Sequence, residues 1–321
     1  MVTSDKPFDL AELDRMDGRA RELERHYVER QREQIRPANR LLREDELEAP
    51  LAEQLQLNLR FFARRDVLSK VYPSDEDVII CEGDSWFDHP FLQDIPTQLF
   101  SAFHYCVLHS NQPGKLLSES VSEREFLVPL KDFRKPQIKA LLLSGGGNDL
   151  INWHKTDAYS SIFKPATSNN PRDFIDFSQL GDALEELTNY FDQIAALLSS
   201  AGVPQLPVLI HCYDHIRPAS YGHSLFKGTW IEPQLEAIGA KPELYSAIAE
   251  HLQREWTLAY RAFCTRRGWH FIDASGIVRN RWHDEIHPHS RPFYEIASRF
   301  KDVLLELKIQ PTKHPRPLPP F

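Results

Sequence analysis

From Asp75 onward, short β-branched runs alternate with amphipathic helical stretches, and each run ends in a polar or glycine-rich turn. That alternation restricts the chain to a parallel sheet whose strands are joined by crossover helices. The apolar runs Asp77–Cys81, His104–Leu108, Ala140–Leu143, Val208–Cys212 and Trp269–Ile272 are the five strands it predicts. Between and after them, three sets of apolar residues recur at helical spacing. They are Leu184, Leu187, Phe191, Ile194 and Leu198; Leu244, Ile248, Leu252, Trp256 and Phe263; and Phe293, Ile296, Phe300, Leu304 and Leu307. Five strands with covering helices make a three-layer α/β/α sandwich.

The flanking segments follow another rule. Residues 1–72 are dense in Arg and Glu, hold a single glycine (Gly18), and carry leucines at helical spacing, which predicts an N-terminal helical extension. Residues 311–321 contain five prolines and are expected to be an extended tail, leaving 73–310 as the main domain. Within it, 152–180 and 213–242 are long and rich in Pro, Asn and Ser, and follow the third and fourth strands. Loops at strand carboxyl ends build ligand sites in open α/β sheets.

Composition narrows the partners. A formal net charge of -8 and the lack of a basic stripe beyond Arg64-Arg65 and Arg266-Arg267 argue against nucleic acid, whose backbone is held by clustered Lys and Arg. No segment approaches the roughly 18 apolar residues of a membrane span, and the N-terminus lacks an apolar leader, so a cytoplasmic location is expected. Cys81, Cys106, Cys212 and Cys264 fall singly, which predicts buried free thiols and no zinc knuckle.

Three segments carry chemistry. Glu82-Gly83-Asp84-Ser85-Trp86 follows the first strand and precedes a helix expected near Pro90. That puts a serine hydroxyl at the sheet's carboxyl edge, beside a helix N-terminus that favours developing negative charge. Ser144-Gly145-Gly146-Gly147-Asn148-Asp149 follows the third strand; its glycines permit close backbone approach and Asn148 adds an amide donor. It lacks both the phosphate-loop Gly-Lys-Ser/Thr and the dinucleotide Gly-x-Gly-x-x-Gly, so no cofactor is expected. His283-Asp284-Glu285-Ile286-His287-Pro288-His289 places a carboxylate three residues before an imidazole, the spacing of a general base and its orienting acid. The same seven residues offer His283, Asp284, His287 and His289 as zinc ligands, and the residues alone leave both readings open.

Together the segments resemble the SGNH hydrolase superfamily, the GDSL esterases and lipases, over about residues 76–308. Gly83-Asp84-Ser85 resembles its first block, Gly146-Gly147-Asn148-Asp149 its Gly-x-Asn-Asp block, and Asp284-Glu285-Ile286-His287 its closing Asp-x-x-His block. The resemblance implies Ser85 as nucleophile, His287 and Asp284 as base and orienter, and Asn148 as oxyanion donor. The family's second block is little more than a glycine with an inward N–H, a role the resemblance gives to Gly114, which alone lies between Gly83 and Gly145. It implies a five-stranded parallel sheet in order 2-1-3-4-5 and hydrolysis of a small-molecule ester, with short acyl or acetyl groups preferred. Trp86 departs from the leucine common at its position. Trp86, Phe87, Trp153, His154, Tyr213 and His215 are expected near the pocket, and Asp84 and Asp149 are expected to hold backbone amides. A metal-dependent hydrolase and a non-catalytic binding protein on the same fold are the alternative functions.

Overall fold

A computed structural model describes residues 76–89, 92–132, 137–155, 158–218 and 230–312. The expected helical extension over 1–72 and all but the first two residues of the tail lie outside them. The described residues belong to one compact unit, 74–318.

Five strands form one sheet, β1 (Val78–Gly83), β2 (Cys106–Asn111), β3 (Ile138–Leu143), β4 (Val208–His211) and β5 (His270–Ile272). All neighbours pair in parallel, in the order β2-β1-β3-β4-β5. This is the order that the sequence resemblance implies. β1 is buried along its whole length, as a central parallel strand covered on both faces must be.

The helices are α1 (Ile95–Ser101), α2 (Leu117–Glu123), α3 (Val128–Asp132), α4 (Gly147–Ile151), α5 (Phe177–Ser200), α6 (Glu232–Ala237), α7 (Tyr245–Arg267) and α8 (Ser290–Glu306). Contacts sort the main ones into two layers: α1 packs on α8, while α5 packs on α2, α4 and α7. Right-handed crossovers require this division when the chain moves one way from β1 to β2 and the other way from β3 to β5. The expected apolar faces are buried as spaced, except that Leu244 and Leu307 are half-buried because α7 begins and α8 ends beside them.

Two sequence expectations need correction. The helix expected near Pro90 begins at Ile95, the start of α1, where Asp94 caps it by accepting the Thr97 N–H. The two long insertions are not plain loops. The first carries a 3-10 turn over Pro171–Phe174 and the opening of α5, and the second carries α6. Isolated Pro and Asn residues there mark caps and first turns, as at Asn170-Pro171.

The carboxyl edge is assembled by close backbone approach. A Cβ on Gly83 would sit 2.4 Å from the Ser144 carbonyl oxygen, so the ends of β1 and β3 meet only because residue 83 has no side chain. Gly146 has φ +99°, and a Cβ there would lie 2.1 Å from the Tyr260 hydroxyl, which donates to the Gly145 carbonyl at 2.9 Å. Gly146→Ala combines a left-handed strain with this clash and should destabilise the protein by about 2 kcal/mol or more. Urea denaturation measures it, and an unchanged midpoint would show that the loop yields freely.

Candidate active site

Every chemically suggestive segment leaves a strand at the same edge of the sheet. Ser85 follows β1, Gly114 follows β2, Asn148 follows β3, and Asp284 and His287 follow β5. Parallel pairing makes this unavoidable, since all carboxyl ends point one way.

The structure brings three of the five together in one line. His287 Nε2 lies 2.7 Å from Ser85 Oγ, and His287 Nδ1 lies 2.8 and 3.0 Å from the two oxygens of Asp284. Asp284 Oδ1 also accepts the N–H groups of Ile286 (3.0 Å) and His287 (2.8 Å), so the carboxylate closes its own turn before it orients the ring. Asp284 is 1% exposed, His287 5% and Ser85 9%, so Ser85 is the most exposed residue of the line. With Nδ1–H donated to Asp284, Nε2 is left to accept the serine proton.

Ser85 sits in a turn, not at a helix N-terminus. The Phe87 and Asp88 N–H groups both donate to the Asp84 carbonyl, and Asn111 Nδ2 donates to the Phe87 carbonyl at 3.1 Å. Beneath it, Asp84 accepts the Trp86 N–H at 3.1 Å, the Ser144 hydroxyl at 2.7 Å and the Tyr213 hydroxyl. His211 Nε2 lies 2.8 Å from the same Ser144 hydroxyl, with Nδ1 donating to the Cys212 carbonyl. Asp84, Ser144 and His211 repeat the group types of the outer line, but all are sealed at 2% exposure or less. They brace the Ser85 turn from below. Burial, above all, holds His211 below its ordinary pKa and pushes the Tyr213 hydroxyl well above its own.

Gly114 has φ +78° and lies exposed in the turn after β2. Asn148, half-buried, donates its side-chain amide to the Lys115 carbonyl at 3.2 Å, one residue beyond Gly114. Asp149 accepts the Leu117 N–H, and the Leu117 side chain fills the space left by Gly145. The Gly114 turn and the Gly146-Gly147-Asn148-Asp149 segment are thus one assembly.

The expected pocket residues divide. Trp86, Phe87 and Tyr213 are buried packing residues, Trp153 is half-buried and stacked on exposed His154, and His215 is exposed. Trp86 does more than pack: its indole N–H donates to the Ile286 carbonyl at 2.9 Å, tying the Ser85 turn to the Asp-x-x-His turn. No apolar leucine can make that bond. Trp86→Phe keeps a ring but leaves the carbonyl without it, and should cost about 1 kcal/mol. Thermal denaturation checks this, and an unaltered melting temperature would show the bond to be idle.

The sequence reading missed several residues. His89 packs its ring edge-on to His287, with centroids 4.6 Å apart, and burial first and then His287 and His283 hold it well below the ordinary histidine pKa. Among the described residues, the metal-ligating side chains that converge are His89, Asp284 and His287, not the His283, Asp284, His287, His289 set read from the sequence. Both ring nitrogens of His287 are already engaged. Glu285, fully buried, accepts the N–H groups of Trp230, Ile231 and Glu232, and its carbonyl accepts the Arg217 N–H. It thereby anchors Trp230, whose ring stands 5.4 Å from that of His287. Burial raises the Glu285 pKa despite these bonds. A glutamate inside the Asp-x-x-His block gave the only sequence hint of this anchor.

No protein-family model matches the sequence, and no curated protein matches it. Solved structures to which it is similar include an extracellular lipase from Streptomyces rimosus, 13% identical over 69% of this chain and 98% of that one, with a TM-score of 0.44. Another is a carbohydrate acetylesterase family member from Sinorhizobium meliloti, 11% identical over 72% of this chain and 98% of that one, with a TM-score of 0.46.

Proposed function

We propose that this chain is a serine esterase of the SGNH type, acting on a small-molecule ester through an acyl-Ser85 intermediate. The observation that carries the reading is the continuous line Asp284–His287–Ser85, with its hydroxyl at the open end.

Ser85 Oγ attacks the ester carbonyl carbon as its proton passes to His287 Nε2, while Asp284 stabilises the imidazolium. The oxyanion is held by the N–H groups of Ser85 and Gly114 and by the Asn148 amide. Asn148 has two amide hydrogens; giving one to the Lys115 carbonyl orients the other. Collapse breaks the C–O bond, and the imidazolium returns its proton to the leaving alkoxide. Water, deprotonated by the same imidazole, then releases the acid and restores Ser85.

Short acyl groups, acetyl above all, are the proposed substrates, because the rings of His89 and Trp230 flank His287. Four buried free cysteines favour a reducing, cytoplasmic setting, and the enzyme is proposed to need no cofactor, metal or nucleic acid. Among the described residues no helix is long and apolar enough to cross a membrane.

A p-nitrophenyl ester series tests both parts. Wild type should cleave acetate fastest, and Ser85→Ala should lose all esterase turnover. Asn148→Ala should retain activity reduced by about 10²–10³, the cost of one oxyanion donor. Full activity in Ser85→Ala overturns the nucleophile assignment, and rates that climb with chain length overturn the acyl preference.

A further inference from the structure

Lys115 is a cation in the interior of the protein. Its side chain is 1% exposed, and its Nζ lies 2.9 Å from Glu82, whose side chain is fully buried. Glu123 stands at 3.1 Å and Glu125 at 3.7 Å, both substantially exposed, and Nζ also donates to the Ser110 carbonyl at 3.4 Å. A buried ion pair is a poor device for stability, since desolvating two charges offsets most of their attraction. Its position in the fold gives it another use.

Glu82 is on β1, three residues before Ser85. Lys115 directly follows Gly114, and its carbonyl is the group that accepts the Asn148 amide. The turn between them is otherwise held lightly: the Gln112 N–H donates to the Gly83 carbonyl and the Lys115 N–H to the Gln112 carbonyl, while Gly114 has open space on its Cβ side. One residue therefore fastens both oxyanion donors to the strand that carries the nucleophile.

Resting on the esterase reading above, we infer that Lys115, through its ion pair with Glu82, is the positioning residue of the oxyanion hole. It touches no reacting atom. It fixes where the Gly114 N–H and the Asn148 amide stand relative to Ser85 Oγ, an alignment in which displacements near 1 Å cost about 10²-fold in rate.

This attachment is sensitive to pH. Burial is the main influence on Glu82 and pushes its carboxyl up to about 7, against the opposing pull of Lys115 and a hydrogen bond with Ser120, and with Glu125 adding to the rise. The groups around the pair are therefore Lys115, Ser120, Glu123 and Glu125. As pH falls through this value Glu82 takes a proton, the pair loses its attraction, and the turn is released. Alignment is present above the pKa and lost below it.

The test is the pH dependence of kcat/KM for p-nitrophenyl acetate. Wild type should show an acid limb steeper than that of Glu82→Gln, in which the Glu82 protonation is gone. Glu82→Gln should also have a plateau kcat/KM lowered about tenfold with KM unchanged, the pattern of an interaction realised in the transition state. Limbs of equal slope in wild type and Glu82→Gln overturn the inference, and so, with no variant needed, does a wild-type kcat/KM that stays level as the pH falls through about 7. A wild type that cleaves no ester at any pH overturns the esterase reading and this inference with it.

Discussion

The 2.7 Å contact between Ser85 Oγ and His287 Nε2 joins residues 202 apart in the chain, and it depends on β1 and β5 running parallel in one sheet. Strand direction brings both turns to one edge; side chains then set the distance. From above, the Trp86 indole donates to the Ile286 carbonyl. From below, Asp84 gathers Trp86, Ser144 and Tyr213, and Gly83 lets the β3 end come close enough for Ser144 to reach. Removing any one of these loosens a geometry that the proposed acyl transfer needs held within a fraction of an ångström.

The site is assembled from buried polar groups, which is costly unless each finds a partner. Asp84, Glu285 and Asp214 meet that cost by accepting backbone or hydroxyl donors from loops that leave different strands. Asp214, after β4, accepts the Gly276 and Val278 N–H groups beyond β5, as Glu285 accepts the donors at Trp230, Ile231 and Glu232. The carboxylates act as staples between loops that have no regular structure of their own. Glu82 and Lys115 extend the same logic to the nucleophile strand and the Gly114 turn.

Much of the framework was legible from periodicity. Strand and helix positions follow from runs such as Val78-Ile79-Ile80 and from the Leu184 to Leu198 face, because local pattern and burial agree there. The line Ser85, His287, Asp284 was also legible as a set of motifs, since turns after parallel strands must share an edge. What stayed hidden depends on contacts between distant residues. Trp86 reads as a pocket aromatic, yet its partners include Ile286 and His211; His89, which no motif marks, lies against His287. Lys115 and Glu82 look like ordinary surface charges in the sequence, and only the fold removes both from water. The helix expected near Pro90 starts later, at Ile95, because the Asp94 cap sets the start of α1.

Covalent capture addresses the central claim most directly: that Ser85 is a hydroxyl made nucleophilic by His287. Treatment with a fluorophosphonate, followed by proteolysis and mass spectrometry of the peptides, should place a single adduct on Ser85, abolished in His287→Ala as well as in Ser85→Ala. An adduct on another residue, or equal labelling of Ser85 when His287 is absent, would contradict the account.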